Sequence, residues 1–420
     1  MQSIRGTKDI LPNEIIFWQY IYNQANEILS LYNYNEIRTP IIESTDLFQR
    51  SIGNGTDVIN KEMYNFIDQG NRKITLRPEG TASIARSFIT NQLYLDNRVQ
   101  RLWYLGPMFR YERPQNGRQR QFHQLGIECI GSINPIADTE VIKLAYQILN
   151  TLNLNFNDYI IEINSIGNLE ERNYYKDKLI EYLMPYFIDL DHDSKQRLKT
   201  NPIRILDSKN TKTQEILEKA PQLKSYLNSS SIEHFNQVCE NLNHLNIKYT
   251  INDKLVRGLD YYNYTAFEIK TKKLGSQNTI CGGGRYDALI KQLGGPDTPS
   301  VGWAIGLERL LLILKDKLHI KQYNTKIYLA PQGIAAQQKI WDIISILEKE
   351  KIKFELDLSN HAFQKQLKKA NKSGASLCIL IGDHEIINKS ITLKWLDKGI
   401  QKTILHKDLR QELKKAKLII

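Results

Sequence analysis

Between Ile15 and Tyr32, apolar residues recur at Ile16, Tyr20, Ala25, Ile28, Leu29 and Tyr32. This is close to the helical period and predicts a helix. Ile74–Leu76, Val99–Tyr111 and Phe122–Ile130 read instead as strands, the second crowded with aromatic and branched residues. Arg113-Pro-Gln-Asn-Gly-Arg118 separates the last two and has turn chemistry, so the pair predicts an antiparallel hairpin with an arginine-rich loop. From about Gly167 to Thr250 the pattern is polar and helical, with breaks at Pro185, Pro202 and Pro221, as for an inserted helical module. Strand-like sequence returns at Ala266–Ile269 and Thr279–Cys281, and a helix follows in Gly306–Leu314. Beyond Asp316–Asn324 the pattern alternates: strands at Lys326–Ala330, Phe354–Leu358 and Leu377–Ile381, helices at Ala336–Lys349 and Phe363–Ala370. Such alternation predicts a small α/β domain with largely parallel strands, its boundary near Gln322.

Bulk properties narrow the classes. A chain of 420 residues exceeds the size at which single cores stop growing, so two or three domains are expected. With 41% hydrophobic and 25% charged residues the composition is that of a soluble globular protein. No apolar run approaches the roughly 20 residues a bilayer span needs, which argues against a membrane role. The N-terminal Met1-Gln-Ser-Ile-Arg-Gly-Thr-Lys8 lacks the apolar core of a signal peptide, so a cytoplasmic location is expected. Cys129, Cys239, Cys281 and Cys378 are widely spaced and read as buried reduced thiols rather than zinc ligands or a disulfide framework. The net charge of +11 suits a polyanionic partner, and most of the excess lies late: Thr325–Ile420 carries 18 Lys and Arg against 10 Asp and Glu. Lysine-rich surfaces are also often merely solvated.

Chemistry-bearing residues concentrate in three runs. Arg101-Leu-Trp-Tyr-Leu-Gly-Pro-Met-Phe-Arg-Tyr-Glu-Arg113, continuing to Glu128, holds Arg101, Arg110, Arg113, Arg118 and Arg120 within twenty residues. Arginine clamps phosphate and carboxylate bidentately, a hairpin holds the cluster rigid, and Phe122 can stack on a base. No P-loop and no glycine-rich Rossmann turn accompanies it. Ser300-Val-Gly-Trp-Ala-Ile-Gly-Leu-Glu-Arg309 places two glycines before an apolar helix that begins with an arginine. Val256-Arg-Gly-Leu-Asp-Tyr-Tyr-Asn-Tyr-Thr-Ala-Phe-Glu268 sets one arginine and three tyrosines around a turn, a pattern that packing alone could also produce.

Together these runs resemble the class II aminoacyl-tRNA synthetases. Phe-Arg-x-Glu, an arginine loop and Arg-x-Phe look like motif 2; Gly302 to Arg309 looks like motif 3. Tyr34-Asn-Glu-Ile-Arg-Thr-Pro-Ile-Ile-Glu43 looks like motif 1, which builds a dimer interface around Pro40. The Val256–Ile269 run resembles the histidine signature of histidyl-tRNA synthetases almost residue for residue. Gly282-Gly-Gly-Arg-Tyr-Asp287, Thr75-Leu-Arg-Pro-Glu-Gly-Thr81, Gly53-x-Gly-x-Asp57 and Ile4-Arg-Gly-Thr-Lys-Asp-Ile-Leu-Pro12 match that family too. The resemblance implies an α+β catalytic domain built on an antiparallel sheet, with a helical insertion, plus a C-terminal α/β anticodon-binding domain. The corresponding boundaries are 1–166 and 251–321 for the catalytic core, 167–250 for the insertion and 322–420 for the tail domain. One departure stands out: Leu358-Ser-Asn-His-Ala-Phe-Gln-Lys-Gln-Leu367 lacks the glycine-rich turn expected before Lys365-Gln366.

The implied reaction has two steps. The carboxylate of L-histidine attacks the α-phosphorus of ATP and releases pyrophosphate, and the 3′-terminal ribose hydroxyl of tRNA(His) then takes the histidyl group. By resemblance, Arg110 bridges substrate carboxylate and α-phosphate, and Arg257 contacts the α-phosphate from the opposite side. Arg309 reaches the distal phosphates and one adenine face, Phe122 covers the other, and Glu112 and Arg118 complete the ATP site, with Mg²⁺ on the phosphates. The α-ammonium falls to Glu79, Thr81 and Gln124; the imidazole falls to Glu128 and Tyr262, with Tyr261 beside them. The implied assembly is a homodimer. A catalytically inactive paralogue serving as regulatory subunit of ATP phosphoribosyltransferase is the alternative; it should lack the tail domain and several of these arginines.

Overall fold

A computed structural model describes residues 1–53, 56, 58–96, 98–113, 117–274, 278–315, 317–318 and 327–415. Gly55 and Asp57 of the Gly53-x-Gly-x-Asp57 pattern, and Pro114–Asn116 of the hairpin turn, lie outside these residues. The chain divides into two compact units, Met1–His319 and Ile320–Ile420.

The first unit is built on an eight-stranded sheet. Its strands run, side by side, as Asn35–Glu36, Gln100–Phe109, Gln121–Ile130, Ser300–Gly306, Thr279–Arg285, Asn263–Lys270, Ile160–Ser165 and Thr250–Ile251. Neighbours are antiparallel throughout the middle, and only the two-residue edge strands pair in parallel. The predicted hairpin is the longest ladder, in register from Gln100 opposite Ile130 to Phe109 opposite Gln121. Residues Leu125–Ile130 are buried on both faces, which is why this stretch reads as a nearly continuous apolar run rather than an alternation.

Helix Pro12–Leu31 matches its periodicity, opening with Pro12 at its first turn and burying Trp18, Ile21, Ala25, Ile28 and Leu29. A second long helix, Pro135–Thr151, escaped the sequence reading. It covers the sheet with Val141, Ile142, Leu144, Ala145, Ile148 and Leu149, and its Val141 carbonyl accepts the Trp303 indole N–H at 2.8 Å. A small sheet of Ile42–Ser44, Lys73–Leu76 and Tyr64–Ile67 stands apart from the main one.

The polar region after Gly167 is helical: Leu169–Leu183, His192–Thr200, Thr211–Leu217 and Ser229–His244. Each helix begins the same way. Asn168, Asp191, Asn210 and Asn228 accept the backbone N–H three residues on, at 2.8 to 3.0 Å. Caps of this kind explain how so polar a stretch sets helix starts without long apolar faces. Pro202 opens a tight 3₁₀ segment, Pro202–Asp207, instead of a simple break.

In the second unit, parallel strands Phe354–Leu356, Ile327–Pro331 and Leu377–Ile381 follow the expected alternation with helices Ile334–Lys349 and Phe363–Lys372. The sheet then turns antiparallel through Ser390–Trp395 and Ile400–Leu405, which the sequence reading passed over. The connection between those two strands is only four residues, with Gly399 at φ +65°, too short for the crossover a parallel pair requires. Where the glycine-rich turn was missed, Asn360 takes the left-handed conformation at φ +48°. Gln366 then anchors the following helix by donating to the Pro331 and His361 carbonyls. Of the four cysteines, Cys239 is only half-buried; all four are free thiols.

Candidate active site

A cleft of about 390 Å³ opens on the face of the main sheet. Eleven of the twelve residues singled out from the sequence line it: Glu79, Thr81 and Gln124; Arg110, Glu112, Arg118 and Phe122; Arg257, Tyr261, Tyr262 and Arg309. Glu128 lies one layer beneath.

The outer part is cationic. Arg110 stands over the Phe122 ring, 5.4 Å from its centroid, and its Nε donates to the Pro78 carbonyl at 2.9 Å. Arg118 is ion-paired with the buried Glu112. Arg309 donates to the Thr279 and Gly117 carbonyls at 2.9 and 3.3 Å, so the helix after Gly306 is tied both to the next strand and to the end of the arginine loop. Next to Arg309, Glu308 accepts from the His123 backbone N–H and lies 2.9 Å from its ring Nδ1. These contacts lock motif-2-like and motif-3-like segments into one wall.

Arg257 reaches the cleft from a loop, yet it is held firmly. It is ion-paired with Glu268 on the strand Asn263–Lys270, and it lies over the Tyr262 ring at 5.3 Å. The glycine at Gly282 is what admits it: any Cβ there would run into the guanidinium. Gly126 does the same for Tyr104, whose ring occupies the space a Cβ would fill.

The inner part is enclosed and tyrosine-lined. Glu79 accepts the backbone N–H groups of Thr81 and Ala82 at 2.7 and 2.8 Å, capping helix Thr81–Thr90. Glu128 receives the Thr81 hydroxyl at 2.7 Å and, on its other oxygen, the Tyr286 hydroxyl. Burial pushes the Glu128 carboxyl up to about 8, and burial also raises Glu79. The ring of Tyr261 packs on Tyr262 at 4.6 Å and edge-on to Tyr286 at 5.7 Å. The Gln124 Oε1 and the Tyr104 hydroxyl are buried without a hydrogen-bond partner. Such groups ordinarily find one, so both mark where a polar ligand can supply it.

Several lining residues had no place in the sequence reading. Tyr104 sat inside a quoted motif and could have been found there, since a buried tyrosine needs a partner for its hydroxyl; so could Tyr286, which lies outside the lining and donates to Glu128 beneath it. Arg204 and Asp207, from the polar helical region, also line the cleft and gave no sequence signal. Arg285 of the Gly282–Asp287 run does not reach it. It is fully buried, paired with Asp138 at 2.6 Å and Asp287 at 3.1 Å, and so braces the strand from behind.

An antiparallel sheet presenting an arginine hairpin opposite a glycine-entered helix defines the catalytic domain of a class II aminoacyl-tRNA synthetase. Comparison with known proteins narrows this further. A profile described as Histidyl-tRNA synthetase matches residues 6–310, and one described as Anticodon binding domain matches 326–416. The chain is 66% identical over 99% of its length to the protein named chloroplastic histidine–tRNA ligase of Gracilaria tenuistipitata var. liui, covering 98% of that protein. It is 51% identical to the histidine–tRNA ligase of Cyanothece sp., over 97% of this chain and 95% of that one. Among solved structures, the apo histidyl-tRNA synthetase of S. aureus aligns over 99% of this chain and 100% of its own, with 37% identity and a TM-score of 0.82. The chain belongs to the histidyl-tRNA synthetase family. Among the described residues no helix is long and apolar enough to cross a membrane.

Proposed function

We infer that the chain is a histidine–tRNA ligase, which activates L-histidine with ATP and transfers it to tRNA(His). The observation that carries this is the single cleft uniting Arg110, Arg257 and Arg309 with an enclosed tyrosine- and glutamate-lined end. The regulatory alternative is not favoured: the three arginines are present, as is the tail domain matched by the anticodon-binding profile.

Both steps gather negative charge, on the α-phosphoryl oxygens and departing pyrophosphate in the first and on the attacked carbonyl oxygen and departing AMP in the second, so fixed cations aimed at that charge supply most of the acceleration. On this reading Arg110 and Arg257 approach the α-phosphate from the hairpin side and the loop side. Arg309 faces the distal phosphates, while Phe122 and Arg309 enclose the adenine and Arg118–Glu112 close that end. ATP enters as its magnesium chelate, the phosphates carrying the ion. The histidine ammonium rests against Glu79, Thr81 and the unpartnered Gln124 oxygen. Tyr262 and Tyr261 flank the imidazole, with Glu128 beneath supplying or receiving a proton at its Thr81- and Tyr286-bound oxygens. A site whose buried polar groups need these partners rejects apolar amino acids strongly.

The domain scheme belongs to the same proposal. Residues 1–166 and 251–321 form the catalytic core, 167–250 an insertion within it, and 322–420 the domain that reads the anticodon. A homodimer is supported by the surface around Pro40, where Ile41 and Ile42 are exposed and Phe66, across the intervening strand Lys73–Leu76 on the face of the small sheet that Ile42 shares, is exposed as well. The relatives named chloroplastic favour a plastid over the cytosol. The decisive assay is ATP–pyrophosphate exchange with each amino acid in turn: exchange with histidine alone is expected, and exchange with another amino acid, or with none, overturns the assignment.

A further inference from the structure

The run Val256–Tyr262 contributes Arg257, Tyr261 and Tyr262 to the cleft, yet it belongs to neither a helix nor a strand. Something outside the sheet must fix its backbone. Arg172, in the first turn of helix Leu169–Leu183, does so from behind. Its Nη1 donates to the Asp260 carbonyl at 3.2 Å and also to the Tyr262 carbonyl. One guanidinium nitrogen thus spans the tyrosine turn, bracketing Tyr261. The contact is backed on both sides. The Asp260 carboxylate accepts from Asn201 and its N–H donates to the Ile52 carbonyl at 3.2 Å. Tyr264 exchanges backbone hydrogen bonds with Ile166 and Gly167 at 2.7 and 2.8 Å, joining the end of the run to the start of the helical region. Glu171, immediately before Arg172, receives the Asn168 N–H at 2.6 Å and the Ser231 hydroxyl at 2.7 Å, fastening this helix to helix Ser229–His244. Arg172 therefore projects from a braced platform.

We propose that Arg172 is a positioning residue for histidine activation: by clamping the Asp260 and Tyr262 carbonyls it sets the Tyr262 ring and, through it, the Arg257 guanidinium. The role follows from a chain of contacts. Arg172 fixes the Tyr262 backbone, the Tyr262 ring lies under Arg257, and Arg257 faces the cleft. It gives the helical region between 167 and 250 a share in amino-acid activation, since that region also places Arg204 and Asp207 on the cleft wall. The proposal rests on reading the cleft as the site of histidine activation.

The test compares Arg172→Met and Arg172→Lys with the unaltered full-length chain, by two measurements. Deuterium uptake at the amides of 256–264 should rise in Arg172→Met while helix 229–244 keeps its protection, and Arg172→Lys should lie between the two. In ATP–pyrophosphate exchange, kcat/KM for histidine should fall about tenfold or more in Arg172→Met, because displacements near 1 Å reach ~10²-fold in rate. The KM for ATP should move by no more than about threefold, and lysine should restore much of the loss. Unchanged uptake in 256–264, or loosening spread evenly through 169–244, overturns the positioning role. An equal rise in the KM for histidine and the KM for ATP overturns it as well. If Arg172→Met does not fold, the lysine variant carries the same comparison. Should the unaltered chain show no histidine-dependent exchange, the functional reading fails, while deuterium uptake still decides whether Arg172 holds the loop.

Discussion

The two ends of the cleft solve different problems. At the outer end Arg110, Arg118 and Arg309 are partly open to water, and their carboxylate and carbonyl partners hold them in place without hiding them. At the inner end Glu79, Glu128, Tyr261, Tyr262 and Tyr286 are buried; Glu79 accepts the Thr81 and Ala82 backbone N–H groups, and Glu128 accepts the Thr81 and Tyr286 hydroxyls. Cationic groups near solvent act by attraction, which is strong on a polyphosphate and tolerant of small displacements. Buried neutral and acidic groups act by complementarity, and each one left unmatched costs about 1–3 kcal/mol. On the proposed function, the outer end serves rate and the inner end the choice of amino acid. Arg257 stands where they meet, tied to Glu268 and lying over Tyr262.

Removing that junction should have the largest effect. On the proposed function, Arg257→Ala deletes a cation facing the reacting phosphate, and among the described residues it leaves the partly buried Glu268 with only Lys270 at 3.3 Å and the Thr279 hydroxyl at 3.2 Å as partners. Loss of one such electrostatic group typically costs ~10²–10³-fold in kcat, and the Glu268 carboxylate on the cleft wall, then less neutralised, should deepen it. Histidine-dependent pyrophosphate exchange is expected to fall at least 10³-fold, with the oligomeric state by ultracentrifugation unchanged. Exchange near the normal rate would remove Arg257 from the mechanism and leave the two ends of the cleft without a link.

An intermediate effect is expected at the inner end. Glu128→Gln keeps the shape but removes the titrating carboxyl. The KM for histidine should rise roughly 10–100-fold, as when a buried hydrogen-bonding group is left mismatched, and the KM for ATP should stay nearly constant. Equal changes in both would sink the division of labour. The same variant has a signature in stability. Burial holds the folded carboxyl at about 8, whereas an unfolded glutamate ionises near pH 4–5. Between those values the folded chain keeps a proton that the unfolded chain has released. The contribution is therefore fully present below about pH 4.5 and is lost as pH rises towards and through 8. In the histidine-free protein, Tm measured from pH 5 to 8.5 should carry a declining component that Glu128→Gln lacks. Parallel Tm curves would show that this carboxyl is not the group responsible.

The contrast between the ends also governs how much could be read from sequence. The outer end was legible because its chemistry is local: Arg110, Glu112, Arg118 and Phe122 lie on one hairpin, and the turn residues between the strands announce it. The inner end is assembled from distant segments. Glu79, Glu128, Tyr262 and Tyr286 meet only because the glycine strand Thr279–Arg285 lies between the tyrosine strand and Ser300–Gly306 in the sheet. No periodicity carries that information; family resemblance supplied it. Helix Pro135–Thr151 is legible in principle from Asn134 and Pro135 at its start and from its apolar stripe, but it lies between the motifs and carries none of their residues. Arg172 and Arg204 were invisible for a physical reason: an arginine in a polar helix looks solvated until the fold shows which loop it faces.

The smallest effect is expected where contact is broad and interchangeable. On the proposed function Phe122 offers a ring face to the adenine, and Arg110 already lies against that ring. Offset stacking of this kind is worth about 0.5–1.5 kcal/mol beyond area burial, which corresponds to roughly two- to tenfold in binding. Phe122→Leu should therefore raise the KM for ATP by only several-fold and leave the KM for histidine untouched, because the ring belongs to the outer end. A leucine retains apolar cover, so Arg110 keeps its hydrogen bond to Pro78 and kcat should fall little. If Phe122→Leu instead raised the histidine KM more than the ATP KM, the ring would belong functionally to the amino-acid pocket. The boundary between the two ends would then have to move from Arg257 to the hairpin itself.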